Sequence, residues 1–320
     1  MNRVRRIYHP EMFQGVNRRR NYFEGWYYKL IDRSMDHVLA IIPGVSLGPK
    51  GEGHSFIQIL DGSGNHSKYI RYDLSDFKYS TKRFEIEIGP NYFSQRRMEL
   101  NIQRDGVGLK GELQFHNIIP FPKTLRRPGI MGPYSFVPFM ECYHGIVNIH
   151  HDIHGILEYG GEKMDFSRGY GYIEKDWGRS FPEEWIWFQS NHFGRDDITI
   201  MFSAAKIPWL GRSFTGFISF IRIKKKIYIF ATYTKANMEV IEDSDQRLNL
   251  VLEDTKYRLN LEVKSGEGST LKAPKHGLMG RDIMESIDGE VFVQFSAKNG
   301  RMIYQGKGVK AGFEYHQSEE

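Results

Sequence analysis

Apolar and polar side chains alternate with a period of two along most of this chain, and helical periodicity hardly occurs. Successive side chains on a strand point to opposite faces, so this alternation is typical of strands that bury one side. Turn signals separate the alternating segments, among them Asp61-Gly62, Asp105-Gly106 and Asn299-Gly300. The pattern predicts an all-β protein of antiparallel strands with little helix.

The two halves of the chain carry similar segments in a common order. The similar segments are residues 24–28 and 184–187, 37–41 and 197–201, 84–88 and 248–252, 98–102 and 259–263, and 161–166 and 299–304. A chain of 320 residues also exceeds one typical domain. We therefore predict two tandem β-barrel or β-sandwich domains, residues 1–180 and 181–320.

One segment of the first domain, residues 117–142, interrupts the alternation. It is rich in Pro, Gly and aromatic residues, and proline removes a hydrogen-bond donor that a central strand needs. Long loops of this kind are binding loops, lids or disordered linkers. Because its aromatic side chains favour packing, we expect it to cover a pocket or the seam between the domains.

Composition narrows the classes of partner and compartment. The net charge is +5, carried in short basic clusters without zinc-finger spacing or a helix-turn-helix pattern, which argues against nucleic-acid binding. The excess is compatible with an anionic membrane surface. The single cysteine, Cys142, suits a reducing compartment. With neither a secretory signal nor a long apolar run, we expect a cytoplasmic protein that meets a membrane at most peripherally.

Residues 185–191 form the most aromatic predicted strand. Alternation places Trp185, Trp187, Gln189 and Asn191 on one face. Indole rings stack on flat or polyene ligands and stabilise cations, while amides orient a polar group. A tryptophan-rich core, with its amides bonded to the neighbouring backbone, is the alternative.

Two carboxylates lie just upstream, on the face that Tyr172 also occupies. Glu174 and Asp176 are two residues apart, and desolvation and mutual repulsion can raise the pKa of one such carboxyl. A protonated carboxyl can act as a general acid at neutral pH. The alternative is an ion pair with Lys175 or Arg179.

Several motifs resemble the tocopherol cyclase family in order and spacing. They are FEGWYYK (23–29), GPKGEGHSFIQILDG (48–62), YIEKDWGRSFPEEWIWFQSN (172–191) and the segments APKHG and MESIDGE within 273–290. The resemblance implies a tandem lipocalin-like architecture shared with carotenoid hydratases. It also implies acid-initiated closure of a ring, in which a prenyl double bond is protonated and a phenolic oxygen captures the cation. Related hydration is an alternative outcome.

Candidate site residues follow from the motifs together with the side-chain chemistry. The expected substrate-binding residues are Trp26, Tyr28, Trp177, Trp185, Trp187, Gln189 and Asn191. The expected acids are Glu285 first, because Ile283, Met284 and Ile287 surround it in the sequence, then Asp176, then Glu174. The substrate is expected to be an amphiphilic, prenylated or otherwise hydrophobic small molecule. A lipocalin-like carrier without catalysis is the alternative function.

No cofactor or metal is expected. The chain lacks a Walker loop, a complete dinucleotide fingerprint and a Gly-x-Ser-x-Gly motif. His150, Asp152 and His154 would share one strand face, a pattern that can bind zinc or iron. Three ligands along a single strand are too widely spread for one tetrahedral ion, so a solvated face or pocket rim is favoured. The sequence gives no indication of the oligomeric state.

Overall fold

Strands dominate the computed structural model, which describes residues 3–64, 66–209 and 211–318. Strands make up 66% of the structure and helix 5%, which confirms the all-β prediction. The chain divides into two compact units. The first unit contains Met1–Phe181 and Thr270–Asp282, and the second contains Pro182–Ser269 and Ile283–Glu320. No helix in the described ranges is long and apolar enough to cross a membrane.

The first unit is built on a 12-stranded antiparallel sheet. It begins with the short helix α1 (Arg3–Ile7), and two single-turn 3₁₀ helices follow later, at Leu74–Asp76 and Gly132–Phe136. The strands are β1 Tyr22–Ile31, β2 Val38–Leu47, β3 Gly53–Asp61, β4 His66–Asp73, β5 Phe77–Tyr79, β6 Glu85–Ile88, β7 Asn91–Ser94, β8 Arg97–Arg104, β9 Val107–Pro120, β10 Cys142–Tyr159, β11 Glu162–Asp165 and β12 Gly169–Gly178. Their order is β4-β3-β2-β1-β12-β10-β9-β8-β7-β6-β5, with β11 paired to β10.

This sheet curls around a single apolar core. Ile57 and Ile70 from one end of the strand order share that core with Ile86 and Ile88 from the other. The two ends also meet through a hydrogen bond, in which Asn91 Nδ2 donates to Tyr72 Oη at 3.2 Å. Alternation buries one face of each strand, and the curled sheet gives those faces a common interior.

A 10-stranded sheet repeats this plan and builds the second unit, except for residues Thr270–Asp282, which belong to the first unit. Its strands are β13 Trp185–Ser190, β14 Ile198–Trp209, β15 Arg212–Ile223, β16 Lys226–Ala231, β17 Asn237–Asp243, β18 Arg247–Glu253, β19 Tyr257–Lys264, β20 Gly268–Lys275, β21 Leu278–Ala297 and β22 Met302–His316, with a 3₁₀ turn at Thr232–Thr234. The order is β16-β15-β14-β13-β22-β21-β19-β18-β17, with β20 paired to β21. Its core is closed by aromatic contacts, such as Tyr228 with Phe295 at 4.7 Å between ring centroids.

Both sheets begin with a four-strand meander whose first strand pairs with the last strand of its unit. Matching the two strand orders aligns β1 with β13 and β2 with β14, as the sequence pairing of the halves predicts. It aligns β8 with β18, however, whereas the sequence pairing matched residues 98–102 of β8 with β19. Because alternating strands resemble one another in sequence, similarity alone matched β8 with the strand next to its structural counterpart.

The hairpin segment Thr270–Asp282 belongs to the first unit, although the sequence placed it in the second domain. The side-chain amide of Gln58, on β3, donates to the carbonyl of Lys272 at 2.9 Å and accepts from the backbone N–H of Lys272 at 2.8 Å. Ser46 Oγ donates to the carbonyl of Gly277 at 2.6 Å. Such contacts between distant parts of the chain leave no local sequence signal.

Most of the predicted loop is irregular, but its first residues extend strand β9 to Pro120. Phe121 and Ile130 are buried, and Met131 accepts a hydrogen bond from the backbone of His144 through its sulfur. Leu125 and Phe139 are instead largely exposed. The expectation of a packed aromatic cover therefore fits only part of this segment.

Candidate active site

Strand β12 carries two chemically different faces. Ile173 belongs to the core of the first unit, and Trp177 packs against that core. Alternation turns Tyr172, Glu174 and Asp176 to the other face. On the adjacent strand β10, His144 lies directly opposite Asp176 in the antiparallel register. The sheet therefore brings an imidazole beside both predicted carboxylates.

These three side chains form a compact ionic cluster, called the His144 triad below. His144 Nδ1 lies 2.9 Å from Asp176 Oδ1, and its Nε2 lies 3.4 Å from Glu174 Oε2. Tyr172 Oη donates to the same Glu174 oxygen at 2.6 Å. The exposed fractions of the side chains are 11% for His144, 5% for Glu174 and 25% for Asp176. Asp176 is thus the member most open to an incoming molecule.

The carboxylates control the charge of the imidazole. Burial lowers the pKa of His144, but the charges of Asp176 and Glu174 and their hydrogen bonds outweigh it, so the pKa is raised well above its ordinary value. His144 is therefore an imidazolium at neutral pH. Burial, reinforced by the charge of Asp176, raises the pKa of the Cys142 thiol, which stays protonated beside Asp176. The triad therefore holds a proton on the imidazole of His144, between two carboxylates.

Replacing His144 with Gln should destabilise the protein in a pH-dependent manner. The folded-state pKa of His144 is above the unfolded value, so its contribution is complete below about pH 6.5 and is lost as pH rises through the folded pKa. We expect His144→Gln to lower the free energy of unfolding by about 2–3 kcal/mol near pH 6, since the buried carboxylate of Glu174 and the partly exposed one of Asp176 lose their cation. Urea unfolding of both proteins at several pH values measures this difference. A difference that stays constant or grows at alkaline pH would contradict the assignment.

The cation beside Glu174 and Asp176 is neither of those expected from the sequence. Lys175 follows the alternation onto the opposite face of β12, where its Nζ lies 2.5 Å from Glu24 Oε1. Arg179 donates through Nε to His276 Nδ1 at 3.2 Å. The two carboxylates are in an ion pair, as one of the sequence hypotheses predicted, but the cation is the imidazolium of His144 on β10.

Glu24 and Lys175 form a second, fully buried ion pair. The carboxylate of Glu24 accepts from the backbone N–H groups of Gln14 and Gly15 and from the hydroxyl of Tyr22. The ammonium of Lys175 donates to the carbonyls of Pro10 and Met12 at 2.7 and 2.6 Å. The pair thereby fixes the segment that precedes β1, so these two family-motif residues have a structural role.

Two predicted substrate-binding aromatics lie in the core of the first unit. Trp26 stacks on Phe84 with ring centroids 5.6 Å apart, and Tyr28 donates to the carbonyl of Ser94. Both are fully buried. Trp177 is only partly buried and stacks on Tyr143 with ring centroids 5.4 Å apart. It lies on β12, but on the face opposite to Glu174 and Asp176.

The predicted aromatic face of β13 belongs to the second unit. Ile186 and Phe188 belong to the core of that unit, so alternation turns Trp185, Trp187 and Gln189 to the opposite face. Trp185 Nε1 donates to Glu314 Oε2 at 2.7 Å. Gln189 is fully buried, and Asn191 is also buried but lies beyond the last residue of β13.

Glu285, the first acid expected from the sequence, also lies in the second unit. It is 1% exposed and stands opposite Glu314 in the pairing of β21 with β22. The pairing of β21 is irregular just after it, between Ser286 and Val291. Ile283 and Ile287 are buried beside it, whereas Met284 points outward with 56% exposure. Part of the expected apolar surroundings is therefore present.

The second histidine cluster is dispersed along β10. His150 and His151 are buried, whereas His154 is exposed and contacts His116. Asp152 lies 3.6 Å from His150 Nε2 and accepts a hydrogen bond from Asn117. Irregular register between Asn148 and His151 breaks the alternation that the sequence prediction assumed.

Within the described ranges, the His144 triad is the group of side chains whose spacing could hold a metal ion, with one donor atom from each residue within 4.8 Å of the others. Both ring nitrogens of His144, however, already face carboxylate oxygens. The raised pKa of His144 also means that a proton competes with a metal for its nitrogen. The triad is thus better suited to holding a proton on His144 than to binding a metal ion.

Sequence reasoning missed His144, which completes the site. A lone histidine on an alternating strand resembles many solvated ones. Only the register of β10 against β12, shifted by irregularities beyond Ile146, places it beside Asp176. The one available signal was that both strands carry ionisable residues at alternate positions.

Comparison with known proteins agrees with the motifs. A sequence profile of the tocopherol cyclase-like family matches residues 111–315. The chain is 38% identical over 62 residues to the chloroplastic tocopherol cyclase of Zea mays, which covers 19% of this chain and 13% of that protein. It is 30% identical over 82 residues to "Probable tocopherol cyclase, chloroplastic" of Oryza sativa subsp. japonica, a match that covers 26% of this chain and 17% of that protein. The matched stretches are thus a small part of those relatives.

Solved structures share the fold over nearly the whole chain. CghA is 7% identical with a TM-score of 0.59, and the match covers 93% of this chain and 89% of CghA. CghA has also been solved with Sch210972. A Nitrosomonas europaea protein assigned as AttH is 13% identical with a TM-score of 0.53, covering 91% and 92%. At such identities the likeness concerns the fold alone, and it confirms the predicted lipocalin-like class.

The profile match spans more than half of the chain, including strands β10 and β12, which carry the triad, and the aromatic strand β13. The predicted resemblance is therefore confirmed, and this chain belongs to the tocopherol cyclase-like family.

Proposed function

We propose that the protein is a cyclase that uses the His144 triad to protonate an isolated double bond of a hydrophobic, prenylated phenol. The observation that carries this proposal is the contact between the imidazolium of His144 and Asp176, the most exposed carboxyl of the triad. Membership in the tocopherol cyclase-like family supports the reaction class.

The proton passes along a short path. His144 Nδ1 releases it to Asp176 Oδ1, 2.9 Å away, and Asp176 donates it to the alkene carbon. The resulting tertiary cation is captured by the phenolic oxygen of the same molecule. That oxygen then releases its own proton to the carboxylate of Asp176, which returns a proton to His144 Nδ1. The triad is thereby restored, and the product has the mass of the substrate.

Glu174 and its hydrogen-bond partner Tyr172 support this proton transfer. The negative charge of Glu174, together with that of Asp176, stabilises the imidazolium in the resting state. Tyr172 donates to Glu174 and fixes its orientation.

Incubation with a geranyl-substituted methylhydroquinone tests the proposal. Chromatography with mass spectrometry should show a product of unchanged mass and altered retention. A product heavier by one water would indicate hydration instead, and recovery of unchanged but protein-bound ligand would indicate a carrier. Either of these two results would contradict cyclisation.

Glu285 is the second candidate for the acid, favoured by its burial between Ile283 and Ile287. If Asp176 supplies the proton, the variant Glu285→Gln should keep turnover within about threefold, because the amide preserves shape and most hydrogen bonds. A loss of about a hundredfold with unchanged folding, measured by circular dichroism, would move the acid to Glu285.

A further inference from the structure

Two apolar side chains project from the segment between β9 and β10. Phe139 and Leu125 are 88% and 83% exposed, more than any other large apolar side chain in the described part of the chain. Phe136, three residues before Phe139, is 43% exposed. We call these three residues the apolar tip. Single exposed apolar side chains are common on protein surfaces, but several in one short segment point to an apolar partner.

The apolar tip is held in place by the surrounding structure. Tyr8 Oη donates to the carbonyl of Leu125 at 2.7 Å, and the ring of Tyr8 contacts that of Phe136. Tyr143 Oη donates to the carbonyl of Val137 at 2.8 Å. Phe139 has a φ of +63°, a conformation that costs energy for a bulky residue. The fold therefore presents these side chains outward.

Basic residues outnumber acidic ones in the segment that carries the apolar tip. Residues 117–142 contain Lys123, Arg126 and Arg127, and Glu141 is their one acidic residue. Lys123 is paired with Glu11 at 2.6 Å. Arg126 is exposed beside Leu125 in the sequence, and Arg127 is partly exposed. Exposed apolar side chains next to cations match the boundary between the anionic headgroups and the acyl chains of a membrane.

We propose that the apolar tip inserts into the surface of membranes that contain anionic lipid. Leu125 and Phe139 enter the acyl region, and Arg126 and Arg127 contact the headgroup phosphates. This inference goes beyond the proposed reaction and is independent of it, because it depends on surface side chains outside the His144 triad.

Flotation with vesicles tests the insertion. The protein should bind phosphatidylcholine vesicles that contain phosphatidylglycerol more strongly than vesicles of phosphatidylcholine alone. The double variant Leu125→Ser/Phe139→Ser should bind the anionic vesicles about tenfold or more weakly, since two exposed apolar groups are lost. Arg126→Ser should reduce the preference for anionic vesicles.

Ile241→Ser is the matched control. Ile241 is 67% exposed on β17, next to Glu242 and Asp243, and its replacement should leave vesicle binding unchanged. Absence of binding by the wild-type protein, or equal binding by the double variant, would overturn the proposal. So would self-association of the wild-type protein that the double variant abolishes, because the apolar tip would then be a contact between copies of the chain.

Discussion

Replacing Asp176 with Asn should lower turnover of a prenylated hydroquinone by about 10²- to 10⁴-fold, the usual contribution of a general acid. The amide keeps the shape of the side chain and can still accept a hydrogen bond from His144, but it cannot donate an acidic proton. Affinity for the substrate should change little, because the reacting proton is lost while the surface is retained. Steady-state kinetics and equilibrium binding measure the two effects separately.

Asp152→Asn is the matched control for this substitution. Asp152 has a similar side-chain exposure of 31% and also lies near a histidine, His150, at 3.6 Å. It takes no part in the triad, so its variant should turn over normally. Equal losses in both variants, or normal turnover by Asp176→Asn, would contradict the role of Asp176.

Replacing Lys175 with Met should lower the free energy of unfolding by about 3–5 kcal/mol, because a fully buried Glu24 then lacks its cation. The backbone carbonyls of Pro10 and Met12 also lose their donor. Urea unfolding at neutral pH measures the change. Lys307→Met is the control, since its pair with Glu290 is half exposed and should contribute less than about 1 kcal/mol.

A double-mutant cycle separates the pair from other effects of the substitution. Glu24→Gln/Lys175→Met removes both charges, so its loss of stability should be smaller than the sum of the two single losses by about 1 kcal/mol or more. Additive losses would mean that the two groups act independently, and the buried ion pair would not be what fixes the segment before β1.

The fold class could be predicted because it depends on local pattern. Alternation over each strand and Gly-containing turns give the antiparallel order almost directly. What could not be predicted depends on pairing between distant segments. The hairpin Thr270–Asp282 joins the first unit through residues such as Gln58 and Ser46, and nothing in its own sequence marks those partners.

The candidate site was predictable on one strand and not across strands. Alternation places Tyr172, Glu174 and Asp176 on one face of β12 and Lys175 on the opposite face. The expected ion pair with Lys175 considered only its nearness in the sequence and not this difference of face. Their true cation, His144, comes from β10, whose irregular register no periodicity reveals. Family motifs, in turn, do not separate a stabilising pair such as Glu24 and Lys175 from a catalytic one.

The central claim is that a protein-held proton is added to carbon, and turnover in deuterium oxide tests it most directly. The carboxyl of Asp176 and the imidazolium of His144 exchange with solvent, so each product molecule formed by cyclisation should carry one deuterium at the protonated alkene carbon. Mass spectrometry and ²H nuclear magnetic resonance would locate it, and Asp176→Asn should suppress its appearance. Product without carbon-bound deuterium, or labelled equally fast with Asp176→Asn, would contradict the account.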